Sequence, residues 1–117
     1  TSAGVLSRPE NISDSLRWVV LLSGKIKTPI AASTGVHEGE DVIKQLLAGA
    51  TAVQVVSSLY KHGTSQLKKM LKEVESWMAE KGYESIEDFR GQISYEKFNE
   101  PEAFERIQFM KYFGGFE

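Results

Sequence analysis

The chain has 117 residues, with 14 Lys and Arg against 16 Asp and Glu, a net charge of −2 and a pI near 5.7. That balance gives no electrostatic basis for gripping nucleic acid or an anionic membrane surface. The absence of cysteine rules out disulfides, thiolate metal sites and a cysteine nucleophile within this stretch, and the longest apolar run, Trp18-Val19-Val20-Leu21-Leu22, is far short of the roughly 20 residues of a membrane span.

Taken in chain order, Thr1-Ser2-Ala3-Gly4 carries no initiator methionine and no leader pattern, which suggests a piece of a longer protein. Arg8-Pro9-Glu10 then opens a helix, because proline suits the first turn and Glu10 and Asp14 complement the positive end of the helix dipole. Ile12, Leu16, Val19 and Val20 fall on one face, Trp18, Leu21 and Leu22 widen it, and Gly24 stops it. Thr28 to Ser33 is short and nonpolar and reads as a buried strand. Glu40 and Asp41 open a second helix with Val42, Ile43, Leu46 and Leu47 buried, Lys44 and Gln45 facing water, and Gly49 as a left-handed stop.

A second strand follows, Ala52-Val53-Gln54-Val55-Val56-Ser57-Ser58. The intervening helix supplies the length that a parallel crossover needs, whereas no hairpin turn is present for an antiparallel pair. Gln54, polar within an apolar strand, needs partners if buried. Thr64 or Ser65 caps a third helix with the stripe Leu67, Leu71, Val74 and Met78, ending at Gly82. Its Lys68, Lys69, Lys72, Glu73, Glu75 and Glu80 read as a solvated face. Trp18, Trp77 and Met78 sit at helical spacing and read as core. Ser85-Ile86-Glu87-Asp88 is a capping box for one short turn ending near Gly91. Pro101-Glu102 begins a last helix, and the apolar end Phe109 to Phe116 needs a surface to cover it. The order is α-β-α-β-α with a helical tail. A two-stranded parallel sheet is not stable alone, so further strands are expected from elsewhere, and open sheet edges favour self-association.

The two strand ends are the chemically promising positions. Thr34, Gly35 and Val36 offer one run of backbone N–H groups, and Val56, Ser57 and Ser58 offer another, with hydroxyls on both sides. Such paired ends of parallel strands suit a phosphate. The same residues also serve as ordinary strand-to-helix turns with capping hydroxyls. His37 and His62 follow the two strand ends but lack a ligand triad, so no metal site is expected. Serine catalysis lacks its Gly-x-Ser-x-Gly elbow. Arg8, in the loop Gly4-Val5-Leu6-Ser7-Arg8-Pro9, could meet an anion, although a surface role is the simpler reading.

Here the residues resemble a known family. Pro29-Ile30-Ala31-Ala32-Ser33-Thr34-Gly35-Val36-His37-Glu38-Gly39-Glu40-Asp41 is similar to the seventh strand and following helix start of dihydroorotate dehydrogenases, whose pattern there is Gly-x-Gly-Gly-Val and then x-x-Gly-x-Asp. Leu47-Ala48-Gly49-Ala50-Thr51-Ala52-Val53-Gln54-Val55 resembles the family's Ala-Gly-Ala-x-x-Val-Gln-Val, and Glu80 to Gly91 resembles the last helix of its soluble, class 1 branch. The resemblance implies the C-terminal fragment of an α/β (β/α)8 TIM barrel, its last two βα units with parallel strands, over residues 1–91, and a helical C-terminal tail over 92–117. It also implies a cytoplasmic, FMN-dependent oxidoreductase of pyrimidine biosynthesis that takes dihydroorotate to orotate. The catalytic base would lie outside this chain, and the fragment alone would be inactive. The FMN phosphate would then be held by Thr34, Gly35, Val36, Val56, Ser57 and Ser58, as a homo-oligomer with a small-molecule substrate. Two departures stand out: Thr34 and Val56 occupy places where the family has glycine. The alternatives are a non-catalytic α/β interaction module assembled through its helix faces, or another phosphate-binding barrel enzyme.

Overall fold

The computed structural model describes residues 6–94; the first five residues and the expected tail helix from Pro101 lie outside them. A 3-10 turn, Pro9–Asn11, leads into α1 (Ile12–Ser23). Then follow β1 (Ala31–Ala32), α2 (Gly39–Ala48), β2 (Ala52–Val53), α3 (Ser57–His62) and α4 (Ser65–Lys81), with a closing 3-10 turn at Ile86–Asp88. The class is α/β. β1 and β2 pair in parallel, Ala31 opposite Ala52 and Ala32 opposite Val53, and the backbone bonds Thr51 N–H to Ile30 O (2.8 Å) and Gln54 N–H to Ala32 O (2.8 Å) flank the pair. Both strands are shorter than expected: Thr28 and Pro29 stay outside the ladder, and Ser57 and Ser58 belong to α3 rather than to β2.

α2 lies at the centre, packed by α1 on one side and α4 on another. Its Ile43, Leu46, Leu47 and Ala48 join Ile12, Leu16, Val19 and Val20 of α1 in one core with Ala32, Ala50, Val74, Phe89 and Ile93. The expectation that Lys44 and Gln45 face water is overturned, since both are buried and Gln45 completely so. A helix enclosed on most sides has no solvent face to give them.

The last four carbonyls of a helix lack partners within it, and here each finds one. Ala50 N–H donates to Gln45 O, Gly49 and Gly91 N–H to Leu46 O, and Ile93 N–H to Leu47 O. The Ser23 hydroxyl donates to Ala48 O at 3.0 Å. Gly49 makes this possible with φ +118°, a left-handed stop as expected.

Two helix faces differ from the stripes read in the sequence. On α1, Trp18 is 60% exposed and Leu22 is also on the surface, so the buried stripe is the narrower set Ile12, Leu16, Val19 and Val20. On α4 the buried line is Gln66, Met70 and Val74, while Leu67 and Leu71 face outward, Leu71 at 62% exposure. That stripe has rotated by about one residue because the Gln66 amide has a buried carbonyl to reach, that of His37. Further along, Trp77, Tyr83 and Phe89 form an aromatic cluster with ring centroids 5.0 to 5.6 Å apart. The Ser85 turn is capped as its sequence predicts, the Asp88 carboxylate accepting from the N–H groups of Glu84 and Ser85. Among the described residues no helix is long and apolar enough to cross a membrane.

Candidate functional site

β1 and β2 are parallel and adjacent, so the loops at their C-terminal ends lie side by side. Between them is a cavity of about 230 Å³ lined by Ser33, Thr34, Gly35 and Val36 from one loop, Gln54, Val56 and Ser57 from the other, and Ser7. Ser58 is not in that lining. It is fully buried beneath it, its hydroxyl donating to the His37 carbonyl at 3.1 Å.

The first loop is shaped by its backbone. Thr34 and Gly35 have successive positive φ angles of 77° and 79°. A β-branched residue seldom adopts that conformation, yet Thr34 holds there the geometry for which glycine is usually chosen. Gly35 is required on a second count: a Cβ on it would sit 2.3 Å from the backbone nitrogen of Ile12, so the loop packs directly onto the start of α1. Among the described residues no acceptor pairs with the N–H groups of Thr34, Gly35 or Val36. The loop is anchored onward by Asp41, whose carboxylate accepts from the N–H groups of His37 (3.0 Å) and Glu38 (2.9 Å) at the start of α2.

The second loop is shaped by side chains. Val56 has φ −126° and needs no glycine, and its side chain is largely exposed. The Ser57 hydroxyl accepts from Ser7 N–H (2.8 Å) and from the Ser7 hydroxyl (3.2 Å). With both lone pairs engaged, its own proton is left to point elsewhere. The Ser7 hydroxyl also lies 3.4 Å from His37 Nε2, and His37 itself is buried, its carbonyl taking a second bond from the Gln66 amide at 2.7 Å.

Among the described residues, no carboxylate and no cationic side chain lines the cavity. Its donors are hydroxyls and N–H groups with no acceptor among the described residues, a set suited to an acceptor-rich ligand such as a phosphate. Arg8 is exposed and outside the lining, its backbone N–H spent on Asn11 at 2.7 Å. His62 is exposed at the end of α3, and Gln54 is exposed at the cavity edge, so neither is a buried polar group in need of a partner. Ser7 is the residue that motif reading passed over. Its only sequence signal is a small hydroxyl residue just before a helix-opening proline.

A second concavity, of about 470 Å³, lies between the start of α2 and α4, lined by Glu38, Glu40, Ile43, Lys69, Glu73 and Trp77. Partial burial raises the Glu40 carboxyl above its ordinary range; Lys44 opposes the rise, and Asp41, Glu38 and Glu73 add to it. Lys69 pairs with Glu38 at 3.3 Å, and Glu73 accepts from Gly39 N–H at 2.8 Å.

The family model for dihydroorotate dehydrogenase matches residues 2–78. A probable dihydroorotate dehydrogenase A (fumarate) of Streptococcus pneumoniae serotype 4 is 44% identical over 66 residues, which are 56% of this chain and 21% of that protein. A putative dihydroorotate dehydrogenase A (fumarate) of Streptococcus agalactiae serotype V is 41% identical over 92 residues, 79% of this chain and 29% of the relative. The dihydroorotate dehydrogenase A (fumarate) of Lactococcus lactis subsp. lactis is 33% identical over 90 residues, 77% and 28% of the two chains. The chain thus spans between a fifth and a third of the length of these curated relatives. With two thirds of its residues inside the family match and the parallel strand-end architecture beside it, this chain belongs to the dihydroorotate dehydrogenase family.

Proposed function

We propose that residues 1–91 supply the last two βα units of a (β/α)8 barrel, that residues 92–117 form its helical tail, and that the whole is a cytoplasmic, FMN-dependent oxidoreductase converting dihydroorotate to orotate. In this reading the chain's own task is to hold the flavin phosphate. The single observation that carries it is the cavity between the two parallel strand ends, lined by Thr34, Gly35 and Val36, whose N–H groups have no acceptor among the described residues, and by Ser57. In barrels of this kind the last two strand ends are a common phosphate site.

The donor set fits an anion. Thr34, Gly35 and Val36 offer backbone N–H groups, Ser57 offers a hydroxyl proton not spent on Ser7, and no carboxylate among the described lining residues would repel phosphate. Val56 forms the rim, and Ser58 acts from beneath by fixing the His37 carbonyl. The two departures from the family's glycines are accommodated, because Thr34 adopts the positive φ itself and Val56 has no need of it. When bound, FMN would supply the two-electron acceptor for a hydride from substrate. The residues of this chain bind and orient it, and they hold no catalytic base.

The test is titration of FMN, and separately of inorganic phosphate, into the purified chain, followed by flavin fluorescence and by the amide resonances of Thr34, Gly35 and Ser57. Saturable shifts at those three amides are expected with both ligands, weakened by Ser57→Ala. No shift with either ligand overturns the assignment. A second reading, a non-catalytic α/β interaction module, draws on the exposed Trp18, Tyr60 and Leu71. It predicts self-association or partner capture by those faces and no response to FMN.

A further inference from the structure

The cavity-lining Ser33 is tied to α1 and α2 by a partly buried polar chain. The Gln45 amide nitrogen donates to the Ser15 hydroxyl oxygen at 2.9 Å, and the Ser15 hydroxyl donates to the Ser33 carbonyl at 2.8 Å. Its polarity is forced from the far end. A carbonyl only accepts, so the Ser15 proton goes to Ser33; Ser15 can then only accept from Gln45, which must present its NH2. The consequence is visible on the other atom of the same amide: Gln45 Oε1 is buried and has no hydrogen-bond partner among the described residues. An unpaired buried oxygen is a stability cost, and leucine of similar size would avoid it. Glutamine stands at the position on α2 that holds the Ser15 hydroxyl.

No cis peptide occurs among the described residues, and a trans peptide directs its N–H opposite to its C=O. With the Ser33 carbonyl tied to α1, the Thr34 N–H is turned away from α1. It leads into the positive-φ pair Thr34 and Gly35 on the cavity wall. We propose that Ser15 and Gln45 are positioning residues that set the direction of the Ser33–Thr34 peptide, and thereby the ligand-facing donors of the loop after β1. That the ligand is the FMN phosphate rests on the proposed function above; the direction of the peptide does not.

The two claims separate in one set of measurements on the full chain. Amide resonances of Thr34 and Gly35 are recorded without ligand for wild type, Ser15→Ala, Gln45→Leu and Ser15→Thr, with melting temperature alongside and FMN titrated afterwards. Ser15→Ala and Gln45→Leu are expected to shift both resonances and to weaken FMN about tenfold, the order of one misdirected hydrogen bond. Ser15→Thr, which keeps the hydroxyl, restores both readouts. Gln45→Leu removes the orphaned oxygen, so its melting temperature stays level or rises while the loop readouts still move; a purely structural role predicts the reverse. Unchanged Thr34 and Gly35 resonances in Ser15→Ala and Gln45→Leu overturn the positioning role, as does unchanged FMN affinity in a wild type that binds. Shifted resonances in a protein that does not bind FMN uphold the positioning role and sink the flavin assignment alone.

Discussion

The two loops that face each other across the cavity are built by opposite means. The loop after β1 owes its shape to backbone: two successive left-handed residues, a glycine pressed on Ile12, and Asp41 holding the next two N–H groups. The loop after β2 has ordinary φ at Val56 and owes its place to hydroxyls, Ser57 to Ser7 and Ser58 to the His37 carbonyl. A backbone-defined loop tolerates little change of residue type but responds little to solvent. A hydroxyl-defined loop tolerates substitution in the fold and should show it in binding.

The sharpest way to break this contrast is Gly35→Ala, which adds strain at positive φ and places Cβ against the backbone of α1. A loss of about 3 kcal/mol is expected by denaturant unfolding; a loss under about 1 kcal/mol would show that the loop can shift off α1. Asp41→Ala comes next. Removing the acceptor of two N–H groups at the start of α2 should cost about 2 kcal/mol, read from the same unfolding curves. Thr34→Gly should raise stability by about 1 kcal/mol, because glycine relieves the strain of a β-branched residue at φ 77°. In the other loop, Ser57→Ala should leave stability within about 1 kcal/mol of wild type and act on FMN or phosphate affinity instead.

Acid supplies a control outside both loops. The N–H groups of Ser85 and Glu84 hold the Asp88 carboxyl below its ordinary range. Its contribution to stability is therefore present above the usual Asp range and lost as pH falls through the lowered value. Asp88→Asn should flatten that acid limb without changing ligand affinity, as melting temperature against pH would show.

Comparison of particular residues shows where sequence reasoning reached and where it stopped. Gly49 and Gly82 end α2 and α4 as read, and the Ser85–Asp88 box closes as read, because a cap is a contest among a few neighbouring residues. Lys44, Gln45, Leu67 and Leu71 were misplaced because their faces are decided by distant partners. The site's backbone donors were legible as small and hydroxyl residues at two strand ends. The left-handed pair at Thr34 and Gly35 was not, since a β-branched residue seldom adopts positive φ. Ser7, Ser15 and Gln45 could not be found by motif, because each contributes through a contact at least 18 residues away in the chain.

The end of α2 also has a bearing on the order in which this protein can mature. Among the described residues, its Leu47 carbonyl is closed only by Ile93 and its Leu46 carbonyl takes its second donor from Gly91, residues made more than forty positions later. While the ribosome is still adding α4, the helix that anchors the cavity loop has a wet, unfinished end. Its completion waits for the segment after the aromatic cluster to fold back. A polypeptide cut ahead of Gly91 should therefore carry the cavity residues yet hold them on a frayed support, and protease sensitivity between Leu46 and Gly49 would report it.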